Sequence, residues 1–540
     1  MRVRFVCLED GMTSCGFRKM AAFAERLHPG VESCYVSTRR YLGVRSAVSG
    51  TVGRGQLGDD QVDEIAAGLA DADVLGFSSM TGYAALTRRV IQRVRERNPS
   101  IYMIWGGIHP IIQPEDAITA AVDAICTGEG EFAFEQVLAG LRDGRDVTAT
   151  RNFWFKGRDG AVIQNAFLPL MTAEEMEALP FPLYGAAAER IYTPGRGFLP
   201  MSTQDYLLND GLGYTALWSI GCPLHCSYCG NTKFIANDAK YKQIRHPSAR
   251  YIVEQIKDAK RRFPHLSQVS FHDDSFMAIR YPEIEAFAEL WRAEVGLPFA
   301  VYGVIPNYVN REKFEVLTWA GMNRIRMGIQ SGSKAMLDFY KRPTPPEKIL
   351  AAGRVISSFA PKYHIPPTYD IIVDNPIESR DDVLATLELL YEIERPYTLL
   401  IYSLKVIPNT GLAAALQQRG VDLEQIDDSY LVIPPRVANL LLYLLCLWRP
   451  PRWLWERLLR RVRASSEPQS VYPRVAVVLR TLYLTKRVLG HLRVMDFSIT
   501  PGKTGYLFWR AGLVDLWQKR FRRTPPRPAS RQPLALRSAG

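Results

Sequence analysis

Along the first 145 residues, short apolar runs alternate with longer stretches of helical period. Strands are predicted at Val3–Leu8, Ser33–Thr38, Asp73–Met80, Tyr102–Gly107 and Ala124–Gly128, and helices are clearest at Tyr83–Arg97 and Glu131–Leu141. Alternation of this kind predicts a parallel sheet wrapped by helices. From 146 to 205 no period is sustained and turn signals such as Gly157-Arg158-Asp159-Gly160 recur, which predicts a linker. Alternation resumes over 206–420, with strands expected at Tyr214–Ile220, Gln268–Phe271, Phe299–Val304, Arg324–Met327, Tyr369–Val373 and Leu400–Leu404. Beyond it, 421–524 reads as mainly helical, and the Pro-, Arg- and Ser-rich tail 525–540 as disordered.

Composition changes this picture in one place. The chain of 540 residues carries a net charge of +12, but 21 Lys and Arg face only 4 Asp and Glu from Leu431 onward, a local excess of 17. The basic character belongs to the C-terminal fifth, and an anionic surface is its expected partner. Val437–Trp448 is apolar except for Asn439. It is too short for a membrane span of about 20 residues. Trp453–Arg463 and Tyr506–Arg523 mix Trp, Leu and Arg, which fits either a helix lying on anionic lipid or a helical cap with its arginines in solvent. Nucleic acid is a less favoured partner, since no RNA-binding module is recognisable. The opening apolar run is too short for a signal peptide. Eight cysteines in so long a chain argue against a secreted disulfide scaffold, so the expected location is the cytoplasm, at most peripheral to the inner face of the membrane.

Chemistry concentrates in Gly221-Cys222-Pro223-Leu224-His225-Cys226-Ser227-Tyr228-Cys229-Gly230. Thiolates this close converge on a metal centre, and soft ligands favour an iron–sulfur cluster or zinc. Three ligands are one short of the four that either closed site takes, which leaves one iron open to a non-protein ligand. A zinc knob lacks its fourth Cys or paired His here.

The triplet, with an aromatic residue before its last cysteine, resembles the radical S-adenosylmethionine (SAM) superfamily. That resemblance implies a partial (β/α)6 barrel, a 4Fe–4S cluster on Cys222, Cys226 and Cys229, SAM chelated to the open iron, and a 5′-deoxyadenosyl radical formed by reductive cleavage. It places Tyr228 near the adenine. The usual Gly-Gly-Glu is missing, and Asp273 or Asp274 stands in for it toward the SAM amino group. Gln330 and Ser331 are candidates for the SAM carboxylate or ribose, with Asp374 and Asn375 less favoured. Asp and Ser at these strand ends serve equally as helix caps.

Upstream, Ser78-Ser79-Met80-Thr81-Gly82, Gly106-Gly107-Ile108-His109-Pro110 and Thr127-Gly128-Glu129-Gly130-Glu131 end three strands. Together they resemble the cobalamin-binding domain of one radical SAM subclass, a doubly wound Rossmann-like fold. The resemblance makes Ser78, Ser79, Thr81, Gly106, Gly107, His109, Gly128, Glu129 and Gly130 candidate cobalamin contacts. Met12 stands where a cobalt-ligating His is found in methionine synthase-type domains, so cobalt is expected to lack a protein imidazole, with His109 a weak alternative. The implied function is a cobalamin-dependent radical SAM C-methyltransferase acting on a hydrophobic or natural-product small molecule, or a lipid-like one. An external flavodoxin- or ferredoxin-type protein would supply the electron. Cyclisation or oxidation without methyl transfer is the alternative.

Overall fold

The computed structural model describes residues 1–9, 14–38, 57–157, 159–423, 436–464, 472–497 and 503–521. Met12 and the tail 525–540 lie outside the described residues.

Five parallel strands form the centre of the first sheet: β1 (Val3–Glu9), β2 (Glu32–Ser37), β3 (Val74–Ser78), β4 (Tyr102–Gly106) and β5 (Ala124–Cys126). They run in the order β2-β1-β3-β4-β5, the flavodoxin-like winding, which reverses between β1 and β3. Helices α1 (Cys15–Leu27), α2 (Asp59–Leu69), α3 (Ala84–Arg97) and α4 (Glu131–Arg142) belong to this layer. Its strands are buried on both faces, as an all-parallel sheet requires.

The segment expected to be a linker is structured. It forms β6 (Phe153–Lys156), β7 (Val162–Gln164), β8 (Glu189–Thr193) and β9 (Gly197–Pro200). The first two extend the sheet beyond β5, and the last two extend it beyond β2, giving nine strands. The strap therefore covers both edges of the N-terminal sheet before entering the second domain.

That domain is a six-stranded parallel sheet in simple sequential order: β10 (Gly213–Ala216), β11 (Gln268–Phe271), β12 (Phe299–Val304), β13 (Met322–Gln330), β14 (Thr368–Val373) and β15 (Thr398–Ser403). Its helices include α5 (Ala249–Arg262), α6 (Tyr281–Leu290), α7 (Arg311–Ala320), α8 (Pro346–Ser358) and α9 (Arg380–Glu392). Apolar residues such as Ile325, Met327 and Ile329 face these helices and are buried, whereas Arg326, Gly328 and Gln330 alternate with them on the less buried face. One column along β13 thus lines the lumen.

Five further helices close the described chain: α10 (Val437–Leu447), α11 (Arg452–Ala464), α12 (Pro473–Arg493), α13 (Lys503–Arg510) and α14 (Leu513–Phe521). The apolar run 437–447 packs as core, burying Leu440, Leu441, Leu442 and Leu445. Among the described residues no helix is long and apolar enough to cross a membrane. Trp455 is fully buried and stacks on Tyr391 with ring centroids 5.1 Å apart, while Trp448 and Trp453 are exposed.

Candidate functional site

The cysteine loop follows β10 and is held by backbone bonds to three separate elements. Cys222 N–H donates to the Tyr241 carbonyl (3.2 Å), Ser227 N–H to that of Tyr340 (2.8 Å), and Leu412 N–H to that of Ser227 (2.8 Å). Gly221 has φ +108°, and a Cβ there would collide with the Gln243 carbonyl. Glycine is required for the loop to pass so close.

Cys222, Cys226 and Cys229 share an apolar nest with Leu224, Ile305 and Tyr308. Burial pushes the Cys222 thiol up to about 11 and the Cys229 thiol to about 12. Thiolates in such surroundings need a positive centre against them, which an iron cluster supplies. Among the described residues no three His, Cys, Asp or Glu close around a single ion. A 4Fe–4S cluster takes its thiolates on separate irons, and three cysteines in one nest are a donor set that suits it.

Sequence reading missed Arg342. It is 5% exposed, and its guanidinium donates to Cys226 Sγ (3.6 Å), to Tyr228 Oη (3.2 Å) and to the Gly328 carbonyl. It lies more than a hundred residues from the triplet, with no motif around it. Tyr228 also meets Tyr340 edge-on at 5.2 Å.

The paired aspartates divide. Asp273 is 1% exposed, and its carboxylate accepts from the Trp218 N–H (3.3 Å) and from the Ser219 N–H and Oγ (2.6 Å each). It braces the segment that leads into the cysteine loop. Asp274, one residue on, is exposed where Asp273 is buried. Desolvation by the protein around it still raises its carboxyl to about 6, eased by a hydrogen bond from Asn231. Ser331 is buried, sharing a 3.1 Å hydrogen bond with Thr386 Oγ1 and accepting from the Ser333 N–H. Gly332 packs against α9, where a Cβ would fall 2.7 Å from Thr386 Cα. Gln330 ends β13 at φ +73°, and Asp374 follows β14 at φ +60°. Left-handed backbone in such residues costs of order 1–3 kcal/mol and clusters at functional sites. Asp374 accepts from Arg436 (3.1 Å) and Asn439 (3.3 Å), tying the strand end to α10.

In the N-terminal domain, Ser79 Oγ accepts from Trp105 Nε1 (3.1 Å), and Thr81 Oγ1 is buried with no partner among the described residues. Gly107 has φ +88°, and a Cβ there would lie 2.8 Å from Ser78 Oγ. At Gly128 a Cβ would lie 2.7 Å from Asn152 Cγ. These two glycines are demanded by the protein's own packing. Gly106 is less constrained, and Gly130 opens α4 beside Met20. The His109 ring is buried against Trp105 at 4.8 Å, with Nε2 3.0 Å from Asp116 and Nδ1 without a partner among the described residues. Burial lowers its pKa, so the ring is neutral. Unpartnered buried polar atoms at Thr81 and His109, on loops ending β3 and β4, fit a large polar ligand over these strand ends.

The two cofactor loops meet. A Cβ on Gly230 would lie 3.1 Å from Ile112 Cδ1, and Asn409 Nδ2 donates to the Ile112 carbonyl (2.9 Å). Glu129 joins the domains through an ion pair with Arg245 (2.7 Å) and a bond from the Met171 N–H (2.7 Å). A cavity of 190 Å³ lies beside it, walled by Thr127 and Gly128, by Leu168 and Met171 of the strap, and by Phe234 and Tyr241 after the cysteine loop.

Comparison with known proteins agrees with this geometry. The B12 binding domain model matches residues 40–138, and the radical SAM superfamily model matches residues 217–390. An uncharacterized methyltransferase of Pyrococcus horikoshii is 22% identical over 330 residues, 61% of this chain and 66% of its own length. An anaerobic magnesium-protoporphyrin IX monomethyl ester cyclase of Rubrivivax gelatinosus is 23% identical over 306 residues, 54% of this chain and 50% of its own. The chain thus spans about two thirds of the first relative and half of the second. The structure of TsrM, a radical SAM methyltransferase from Kitasatospora setae, superposes with a TM-score of 0.58 at 13% identity, covering 78% of this chain and 75% of that one. The chain therefore joins a B12-binding domain to a radical SAM domain, the pair whose cofactors are cobalamin and SAM on a 4Fe–4S cluster.

Proposed function

We propose that the protein is a cobalamin-dependent radical SAM methyltransferase that places a methyl group on an unactivated carbon. The observation that supports this reading is the close approach of Ile112, just after β4, to Gly230 of the cysteine loop, where an added Cβ would lie 3.1 Å from Ile112 Cδ1. When bound, SAM on the cluster supplies a hydrogen-abstracting radical and cobalamin supplies the methyl group. Cys222, Cys226 and Cys229 hold the cluster, and Arg342 holds positive charge against Cys226. Asp274 takes the SAM amino group, since the Asp273 carboxylate is already spent on Trp218 and Ser219. Gln330 orients the SAM carboxylate or ribose, while Ser331 fixes the loop beneath it. Thr81 and the strand ends at Gly106, Gly107 and Gly128–Gly130 would seat the corrin. When the cluster is bound, its electron would come from an external flavodoxin- or ferredoxin-type donor.

Methyl transfer is favoured over ring formation by the methyltransferase relatives, of which the Pyrococcus protein spans the greatest length. The test is product mass after anaerobic turnover: a gain of one methylene unit is expected, and a loss of hydrogen without that gain selects the cyclase or oxidase reading. Val475, Val478, Leu482, Leu489 and Leu492 form an exposed apolar stripe along α12. Weak, salt-sensitive contact with anionic membranes follows as a second-tier expectation, checked by liposome flotation.

A further inference from the structure

At the end of the barrel opposite the cysteine loop lies a cavity of 750 Å³ that none of the roles above uses. Thr368 and Thr398, which begin β14 and β15, line it, and α12 closes it from below. Its size falls within the roughly 300–1,000 Å³ common for small-molecule sites. The walls are largely apolar, from Tyr302, Tyr363, Ile365, Leu400 and Leu489. Its charged lining is all cationic: Arg324, Arg326, Arg395, Lys486, Arg487 and Arg493.

Two of these cations are already neutralised. Arg324 pairs with Asp496, and Arg326 grips Asp370 through Nε at 2.8 Å to each carboxylate oxygen. The other four have no carboxylate partner among the described residues. Arg395 donates to the Leu445 carbonyl, Lys486 to that of Cys446 (2.7 Å), and Arg487 to Tyr483 Oη (3.0 Å). Burial and the neighbouring Arg395 both pull the Lys486 ammonium down, and burial with Arg324 and Arg487 beside it holds His491 at about 3. Lys486 and Arg493 reach solvent while Arg395 and Arg487 are half-buried, and like charges gathered at one apolar cavity favour an anion among them.

Arg324, Arg326, Gly328 and Gln330 stand in one column on β13, from the floor to the cysteine-loop end. At about 3.3 Å per residue the column spans roughly 20 Å. A molecule anchored at the floor reaches the cluster end only if its body is long and narrow.

We propose that the barrel floor binds an elongated amphipathic anion, a carboxylate or phosphate on an apolar chain, and that this is the substrate class of the methyl transfer proposed above. Arg395, Lys486, Arg487 and Arg493 take the anionic head, and the aromatic and aliphatic walls take the chain. The substrate assignment rests on the radical SAM methyltransferase reading, whereas occupancy of the floor does not.

The test is calorimetric titration of the full, cluster-loaded chain with decyl phosphate, decanoate and, as the cationic counterpart, decyltrimethylammonium. The anions are expected to bind at least tenfold tighter than the cation, and the stronger of the two identifies the head group. Lys486→Gln and Arg487→Gln are each expected to weaken anion binding at least fivefold. Arg474→Gln, an exposed charge on the same helix, is expected to leave it unchanged. Equal binding of anion and cation, or unchanged affinity in both floor variants with cluster content intact, overturns the site. Flotation with phosphatidylglycerol vesicles without decyl phosphate binding also overturns it and assigns the charge to the outer surface. Loss of 5′-deoxyadenosine formation with decyl phosphate binding intact overturns the functional reading alone. The reverse result overturns the floor site alone.

Discussion

The two ends of the barrel are built by opposite means. At the cysteine-loop end, Gln330, Lys341, Asp374 and Asn409 all hold left-handed backbone, and Gly221 is packed too tightly to carry a Cβ. The floor residues that line the cavity include no left-handed backbone, and the floor is shaped by long, flexible cations on a helix from a separate region. Strain fixes atoms to within fractions of an ångström, which bond-breaking chemistry requires. Charge on flexible stems recognises a head group without fixing it. The difference separates a reaction mouth from a recognition mouth.

The largest effect should come from the thiols. Cys222→Ala, Cys226→Ala or Cys229→Ala is expected to abolish both iron binding and 5′-deoxyadenosine formation, read by visible absorbance and by chromatography. Alanine at Cys7, Cys34, Cys126 or Cys446, all buried and remote from the triplet, should leave the cluster in place. A full cluster in Cys226→Ala would end the comparison outright.

Arg342→Gln comes next. It leaves the cluster but removes the cation beside Cys226, and SAM cleavage is expected to slow by about tenfold or more, in line with a lost charged hydrogen bond of about 1.5–3 kcal/mol. Cleavage at the wild-type rate would show that the arginine only packs.

Gly107→Ala is expected to cost cobalamin retention while cluster and SAM cleavage persist. The alanine meets both a left-handed φ and Ser78 Oγ, a strain of order 1–3 kcal/mol located in the loop that carries His109. Cobalamin absorbance after desalting reads this directly. Equal losses of cobalamin and cluster would mean the loop supports the fold, not one platform.

The smallest effect concerns Glu378, which lines a 440 Å³ cavity between the end of β14 and α10. Burial, with Asp382 and Asp374 nearby, raises its carboxyl to about 8. The folded chain therefore keeps a proton that the unfolded chain releases above its ordinary value of 4.5. Between these values the native state binds more protons, so stability falls as pH rises from about 4.5 to 8. Glu378→Gln should flatten that slope in chemical denaturation. An unchanged slope would move the effect to another group.

Legibility in the sequence followed locality. The five central strands were readable as short apolar runs buried on both faces, and the barrel strands as apolar runs or as alternating ones such as β13. Strands β7 and β9 were not: the three residues of β7 are all exposed, and β9 is a four-residue edge strand held by its partner β8. The cysteine triplet was readable because its three ligands share eight residues. Arg342 was not, since its role exists only once the chain returns to Gly328 and Tyr228. Asp273 and Asp274 looked interchangeable, and only the fold shows that Asp273 is buried and bonded to Trp218 and Ser219 while Asp274 is exposed.

The strap sets where the molecule can be cut. A fragment ending at residue 145 would strip β6 and β7 from one side of the N-terminal sheet and β8 and β9 from the other. The exposed rows of N–H and C=O on β5 and β2 would then recruit other chains and aggregate. A fragment carried through Met201 keeps both borders paired, though it still cuts buried contacts such as Arg18 with Asp210 and Glu189 with Tyr206.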